Sequence, residues 1–477
     1  MPPLTDQLGR PALDHGILTG VRRSVATPDF LIVQADPTDV RRHRALRTEV
    51  FVREQGIFDR DDRDDVDDDP RTIVLVALDE RGDLLGGVRL HPARDPALTG
   101  ETDLGWWQGS RLAVVPGARH GAGVGAALVR AACARAEAEG ALRFEATVQA
   151  RHEPLFTGLG WSRRRATTLH GHPHVVLEWP IARAQRLARA TKSALGDLLA
   201  GMSPGGRDFV GDDGAPVPGS DLVAACDAIL PSMVERDPEW AGWCAALVNL
   251  NDLSAMGARH VGMLDAVAAR DASFARRVLA GLREASAAWE VPVLGGHTQL
   301  GVPAALSVTA LGRAERLVRG GGGSAGETLR LTADLSGGWR PGYSGQQWDS
   351  SSGRTGAELR ALGGVVPALE PTAGKDVSMG GLIGTTGMLA EASGVRAVID
   401  VADVPRPTAA SVGDWFTCFP GFAMVTAERA ASGAALPPTV TSRTCGELTS
   451  GHGVGLRWPD GVVTEAVTDH VTGMGTA

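Results

Sequence analysis

The sequence predicts an α/β (α+β) protein in parts: a mixed sheet with flanking helices, followed by a two-lobed α/β region. Three observations carry that reading. Strand-like apolar runs alternate with helical spacing along most of the 477 residues. Glycine, with 62 residues, is enriched and gathers in loops that follow apolar runs. Hydrophobic residues at 43% and charged residues at 22% supply enough core for folded domains and exclude a disordered chain.

Residues 1–27 read as a poorly ordered lead-in, and 28–180 as the first domain. Leu31 to Val33 predicts a short strand, and Val40 to Val52 has helical spacing. Ile73–Leu78 and Leu85–Leu90 read as two strands around the turn Arg81-Gly82-Asp83. Arg111–Val115 is a further strand, followed by a glycine loop and the alanine-rich helix Ala126–Glu139. Phe144–Val148 and Val175–Trp179 complete the sheet. Residues 181–204 form a linker, mostly helical, that ends at the breaker run Gly201–Gly206. The rest divides into lobes at 205–330 and 331–477, with Gly320–Gly323 expected as a flexible linker near the boundary.

Charge and special residues narrow the class. The formal net charge is −9, and Asp59–Asp69 alone holds eight Asp against two Arg. That run lacks the glycine and terminal glutamate of a calcium loop, so it reads as a solvated loop that could steer a cationic amine. No basic stripe suggests nucleic acid. The five cysteines form no Cys-x-x-Cys pair. No apolar run reaches membrane-spanning length and no leader opens the chain, so a cytoplasmic protein acting on a small molecule is expected. Lysine occurs only at Lys192 and Lys375, and tyrosine only at Tyr343, which leaves their chemistry few places to sit. His170-Gly-His172-Pro-His174 could set three imidazoles on one strand face, but Pro173 argues for a turn or edge over a metal site.

In the first domain, Leu112-Ala-Val-Val-Pro-Gly-Ala-Arg-His-Gly-Ala-Gly-Val-Gly-Ala-Ala-Leu-Val129 runs from strand through glycine loop into helix. Bare backbone N–H groups at such a helix start make a pyrophosphate site. The stretch resembles the acetyl-CoA loop of the GNAT N-acetyltransferase superfamily. Two further segments fit in order: Ala45-Leu-Arg-Thr-Glu-Val-Phe-Val-Arg-Glu-Gln-Gly56, and Leu155-Phe-Thr-Gly-Leu-Gly-Trp161. The resemblance implies that Val114, Val115, His120, Gly121, Gly123, Gly125 and Ala126 bind acetyl-CoA. There are two departures. His120, beside Arg119, stands where the family has Arg or Gln, and Phe156 stands where a tyrosine acid is usual. Glu54 is the candidate base for the amine; an ordinary surface helix residue is the equal alternative. Cys133 reads as core.

The second region carries four segments that set carboxylates or small polar groups between glycines: Phe209-Val-Gly-Asp-Asp-Gly-Ala215, Val248-Asn-Leu-Asn-Asp-Leu-Ser-Ala-Met-Gly-Ala258, Val293-Leu-Gly-Gly-His-Thr298 and Ala373-Gly-Lys-Asp-Val-Ser-Met-Gly-Gly381. Clustered Asp suits Mg²⁺ against phosphates, and a lysine adds a point charge. Together they resemble the AIR synthase-related (PurM-like) superfamily, as do Phe419-Pro-Gly-Phe-Ala-Met-Val-Thr and Cys445-Gly-Glu-Leu-Thr. That resemblance implies ATP-dependent phosphorylation. Asp212, Asp213, Asp252 and Asp376 would bind Mg²⁺ and ATP, Asn251, Gly295, Gly296 and Thr298 would hold ATP, and Lys375 would be catalytic. It also implies a homodimer through the first lobe. Cys226 follows the Asp pair, which argues against selenophosphate synthesis.

The fused order resembles the nitrogen-starvation N-acetyltransferase and AIR synthase-like proteins of nitrilase-containing clusters. The expectation is a bifunctional acetyl-CoA- and ATP-dependent enzyme acting on a small nitrogenous metabolite. The alternative is that one domain is catalytic and the other a ligand-binding or scaffold module.

Overall fold

The computed structural model describes residues 29–98, 103–119, 123–202, 204–206, 208–430 and 432–477. The expected lead-in therefore lies outside the described residues, as do His120 and Gly121.

The first unit is a seven-stranded mixed sheet. It comprises β1 (Phe30–Gln34), α1 (Pro37–Arg47), β2 (Ile73–Asp79), β3 (Leu84–Pro92), β4 (Trp106–Val114), α2 (Val124–Ala138), β5 (Arg143–Gln149), α3 (Glu153–Gly158), β6 (Ser162–Leu169) and β7 (His172–Trp179). Strand order is β1-β2-β3-β4-β5-β7-β6. Asp36 caps α1, accepting from the N–H groups of Thr38 and Asp39. The helix continues as a π-helical stretch over Thr48–Glu54. β6 carries three consecutive arginines and is exposed along most of its length, so it lacked the apolar signal that reveals a strand.

The acidic run is not the solvated loop expected. Asp62, Asp64 and Asp67 close an ion-pair network with Arg47, Arg89 and Arg111. Arg47 and Asp62 are both almost fully buried, at 2.7 Å. The run is acidic because it answers three arginines from α1, β3 and β4. The sequence cannot place those together.

The segment after β7 forms two short helices, α4 (Arg183–Thr191) and α5 (Leu195–Leu198). It is not a free tether. Ala184 and Ala188 enter the core of the last lobe, and Arg183 pairs with Asp414.

The second unit contains β8 (Ala215–Pro216), β9 (Leu222–Ile229), α6 (Pro231–Arg236), α7 (Pro238–Ala255), β10 (Arg259–Ala269), α8 (Ala272–Trp289), β11 (Val293–Leu300) and β12 (Ala305–Arg313). Its sheet order is β11-β10-β12-β9-β8. α7 is buried nearly all round, because it packs both on the sheet and against the last lobe. The third unit contains β13 (Thr328–Ala333), β14 (Gly338–Trp339), β15 (Trp348–Asp349), α9 (Gly356–Leu362), α10 (Val365–Leu369), β16 (Ala373–Asp376), α11 (Gly381–Ala392), β17 (Arg396–Asp400), α12 (Val412–Thr417), β18 (Ala423–Glu428), β19 (Thr441–Thr449), β20 (Val454–Arg457) and β21 (Val463–Val467). Seven of its strands form one sheet, in the order β16-β18-β13-β19-β17-β20-β21.

Gly320–Gly323 is a packed crossing, which corrects the flexible-linker expectation. A Cβ on Gly322 would lie 2.1 Å from the Thr372 carbonyl oxygen. The first unit is seated on the third through a shared core that includes Trp106 and Leu142. Arg143 stacks 3.7 Å over the Trp106 ring and donates two 2.9 Å hydrogen bonds to Asp460. Among the described residues, no helix is long and apolar enough to cross a membrane.

Candidate functional sites

β4 and β5 pair in parallel only from Trp106 opposite Arg143 to Gly109 opposite Ala146. Beyond that rung they part, and Arg111 adopts a left-handed backbone with φ of 55°. The opening is a cavity of about 620 Å³. Its lining includes Val114, Gly125, Val129 and Phe156, and also Phe58, Arg111, Gln149, His170 and His174. Gly123 caps α2 with φ of 67°, and a Cβ there would meet nothing within 4 Å. Gly123 thus leaves the start of α2 bare, which suits a pyrophosphate. Val115 is tied to the sheet through its N–H to Leu85, and Ala126 lies in the first turn of α2.

Glu54, at the end of the π-helical stretch, lines this cavity, but both its oxygens are occupied. Arg119 donates to them at 2.5 and 2.6 Å. That ion pair holds the Glu54 carboxyl below its usual range. Arg119 also donates to the Val114 carbonyl. Phe156 packs edge-on against Trp161 and offers no phenol. Cys133 is buried, and burial pushes its thiol up to about 12, as suits a core residue.

The second site lies between the other two units. Carboxylate oxygens of Asp213, Asp252 and Asp376 lie within 4.8 Å of one another. Lys375, 1% exposed, donates to Asp213 and to the Gly211 carbonyl, each at 2.7 Å. Asp213 also accepts from the Asp376 backbone N–H at 3.0 Å. Asp212 accepts from the Gly320 N–H. Burial pushes the Asp212 carboxyl up to about 6, against the pull of Lys375. Burial, together with neighbouring carboxylates, drives Asp252 and Asp376 well above the ordinary range.

The donor set fits Mg²⁺. All three converging groups are hard oxygens. Buried carboxyls crowded together are what a divalent cation relieves. The buried Asp212 Oδ2, next in sequence to Asp213, and Ser378 Oγ, two residues past Asp376, also lack a hydrogen-bond partner.

Asn251 is placed otherwise than expected. Its side-chain N–H donates to the Gly421 carbonyl at 2.8 Å, stapling α7 to the last lobe. Gly295, Gly296 and Thr298 lie on β11, an exposed edge strand. Three strand spacings, on the order of 14 Å, separate β11 from β9, so one chain does not bring these residues to the carboxylates. Two residues missed in the sequence belong to the site. Asp227 on β9 acts electrostatically on Asp252 and Asp376, and burial pushes its own carboxyl up. Asn249 accepts from the Asp227 N–H at 3.0 Å. A lone carboxylate inside the apolar run Leu222–Ile229 was the available signal.

The AIR synthase related protein N-terminal domain matches residues 211–314, and its C-terminal domain matches 354–458. The uncharacterized protein sll0787 of Synechocystis sp. is 35% identical over 228 residues, covering 46% of this chain and 70% of that protein. The chain belongs to the AIR synthase-related family. The acetyltransferase (GNAT) family matches residues 40–155, so this member carries a GNAT domain fused ahead of the AIR synthase-related domains. A thiamine-monophosphate kinase from Synechococcus elongatus is 33% identical over 134 residues, covering 26% of this chain and 41% of the kinase. Among solved structures, the Aquifex aeolicus thiamine monophosphate kinase aligns with TM-score 0.41 and 19% identity, over 54% of this chain and 93% of that one.

Proposed function

We propose that the protein is a bifunctional enzyme acting on a small nitrogenous metabolite. In this reading the GNAT domain transfers an acyl group from acetyl-CoA, and the AIR synthase-related domains transfer a phosphoryl group from Mg²⁺–ATP. The observation that carries it is that each part has its own assembled site: a cavity where β4 and β5 part, and a buried lysine among carboxylates between the two lobes. Val114, Val115, Gly123, Gly125 and Ala126 line the acyl-CoA path. Asp213, Asp252 and Asp376 hold Mg²⁺, with Asp212 and Asp227 beside them. Bound there, Mg²⁺ supplies charge neutralisation for the transferring phosphoryl group. Lys375 is fixed by Asp213 and Gly211 and places one positive charge at the same point.

The open face of the first-lobe sheet exposes Leu264, Leu294 and Leu300. That supports a homodimer in which β11, with Gly295, Gly296 and Thr298, lies at the seam.

Calorimetry with acetyl-CoA and with Mg²⁺–ATP, on the wild type and on Asp252→Ala, tests the reading. The expected result is two independent sites, with ATP binding weakened only by the substitution. Binding of one ligand alone leaves the reading in which one domain is catalytic and the other a binding or scaffold module. Binding of neither overturns both.

A further inference from the structure

We propose that His174 is the base that takes the proton from the accepting amine in the GNAT domain; this rests on the acyl-CoA reading of that domain. His174 opens the part of β7 that pairs with β5, opposite Gln149, past the point where β4 and β5 separate. It lines the 620 Å³ cavity and is 7% exposed. Its Nδ1 lies 2.8 Å from the His172 carbonyl oxygen. A carbonyl only accepts, so Nδ1 carries the hydrogen and Nε2 is left with the lone pair. A buried imidazole with one fixed tautomer is what proton abstraction needs.

The other basic groups of the cavity are either engaged or exposed. Arg119 occupies both oxygens of Glu54. The Nε2 of His152 already accepts from Arg151. His170 packs tilted against Phe58, its ring centre 4.6 Å away, and is exposed to solvent, where His174 is buried. The charges facing the same space are largely paired: Arg111 with Asp62 and Asp64, and Glu54 with Arg119, leaving Arg151.

Nε2 takes a proton from the amine as the nitrogen electron pair forms the bond to the thioester carbon. The carbon–sulfur bond breaks, and its electron pair leaves on the coenzyme sulfur. The imidazolium then gives its proton, through solvent, to that thiolate. The products are an amide, the coenzyme thiol and neutral imidazole.

The test is thiol release from acetyl-CoA by the full-length protein, with water and with a panel of primary amines as acceptors, alongside acetyl-CoA calorimetry. His174→Gln is expected to lower kcat/KM by roughly 10²–10⁴-fold and to remove the acid limb of its pH profile, with acetyl-CoA affinity unchanged. Added imidazole is expected to restore rate to His174→Ala, with efficiency following the pKa of substituted imidazoles. His174→Asn, which keeps a donor toward His172, serves if the glutamine variant does not fold. Retained rate and acid limb in a variant that still binds acetyl-CoA overturn the assignment. An imidazole ¹⁵N spectrum of the wild type showing His174 protonated at Nε2 when neutral overturns it too, without any variant. Failure of the wild type to bind acetyl-CoA, or to release thiol with any acceptor, overturns the acyl-CoA reading instead.

Discussion

Lys375→Met removes one charge and keeps most of the side-chain volume. Lys375 is 1% exposed, and Asp212, Asp213 and Asp376 all act on its charge. Breaking a buried ion pair from one side leaves an uncompensated charge and costs about 3–5 kcal/mol. At roughly 2–4 °C per kcal/mol for units of this size, the melting transition of the AIR synthase-related part falls by on the order of 10 °C. Mg²⁺ replaces the lost charge, so it is expected to stabilise the variant more than the wild type; saturation at a hundredfold over Kd contributes about 2.7 kcal/mol. Differential scanning fluorimetry with and without Mg²⁺ reads both effects, with ATP turnover measured in parallel. Acetyl-CoA binding is the internal control, because Lys375 does not line the GNAT cavity. An unshifted transition together with unchanged ATP turnover would refute the charge argument.

Three other outcomes are expected. Gly320→Ala would set a Cβ 2.6 Å from Asp212 and 2.8 Å from the Lys375 stem, so ATP turnover should drop at least about tenfold; a rate equal to wild type contradicts the close packing. Arg143→Leu leaves Glu145 buried beside Trp106 and breaks the pair with Asp460; scanning calorimetry should resolve separate melting of the GNAT domain, and a single unchanged transition refutes the docking role. His43 and His91 are buried, and desolvation lowers each to about 4. The unfolded chain therefore binds more protons between pH 6.5 and 4. Their stabilisation is complete above that window and lost as pH falls through it, by on the order of 3 kcal/mol each. His43→Gln should flatten part of this slope in acid-unfolding curves.

The sequence by itself determined the parts. Period-2 and helical spacing marked most strands and helices of the first unit, because local burial repeats with the backbone. Glycine-flanked loops marked both candidate sites, and Asp213, Asp252, Lys375 and Asp376 were legible in the second, because close backbone approach and clustered carboxylates demand particular residue types. Only the tertiary structure decided what those residues face. The acidic run became an arginine clasp because three distant arginines converge on it. Glu54 was claimed by Arg119, 65 positions away. Asn251 became a staple between lobes, and the four-glycine run became a packed crossing beside Asp212. Local pattern reports how a residue is spaced along its own element; its charge partner, and hence its protonation and its freedom to react, depends on which other element lands beside it.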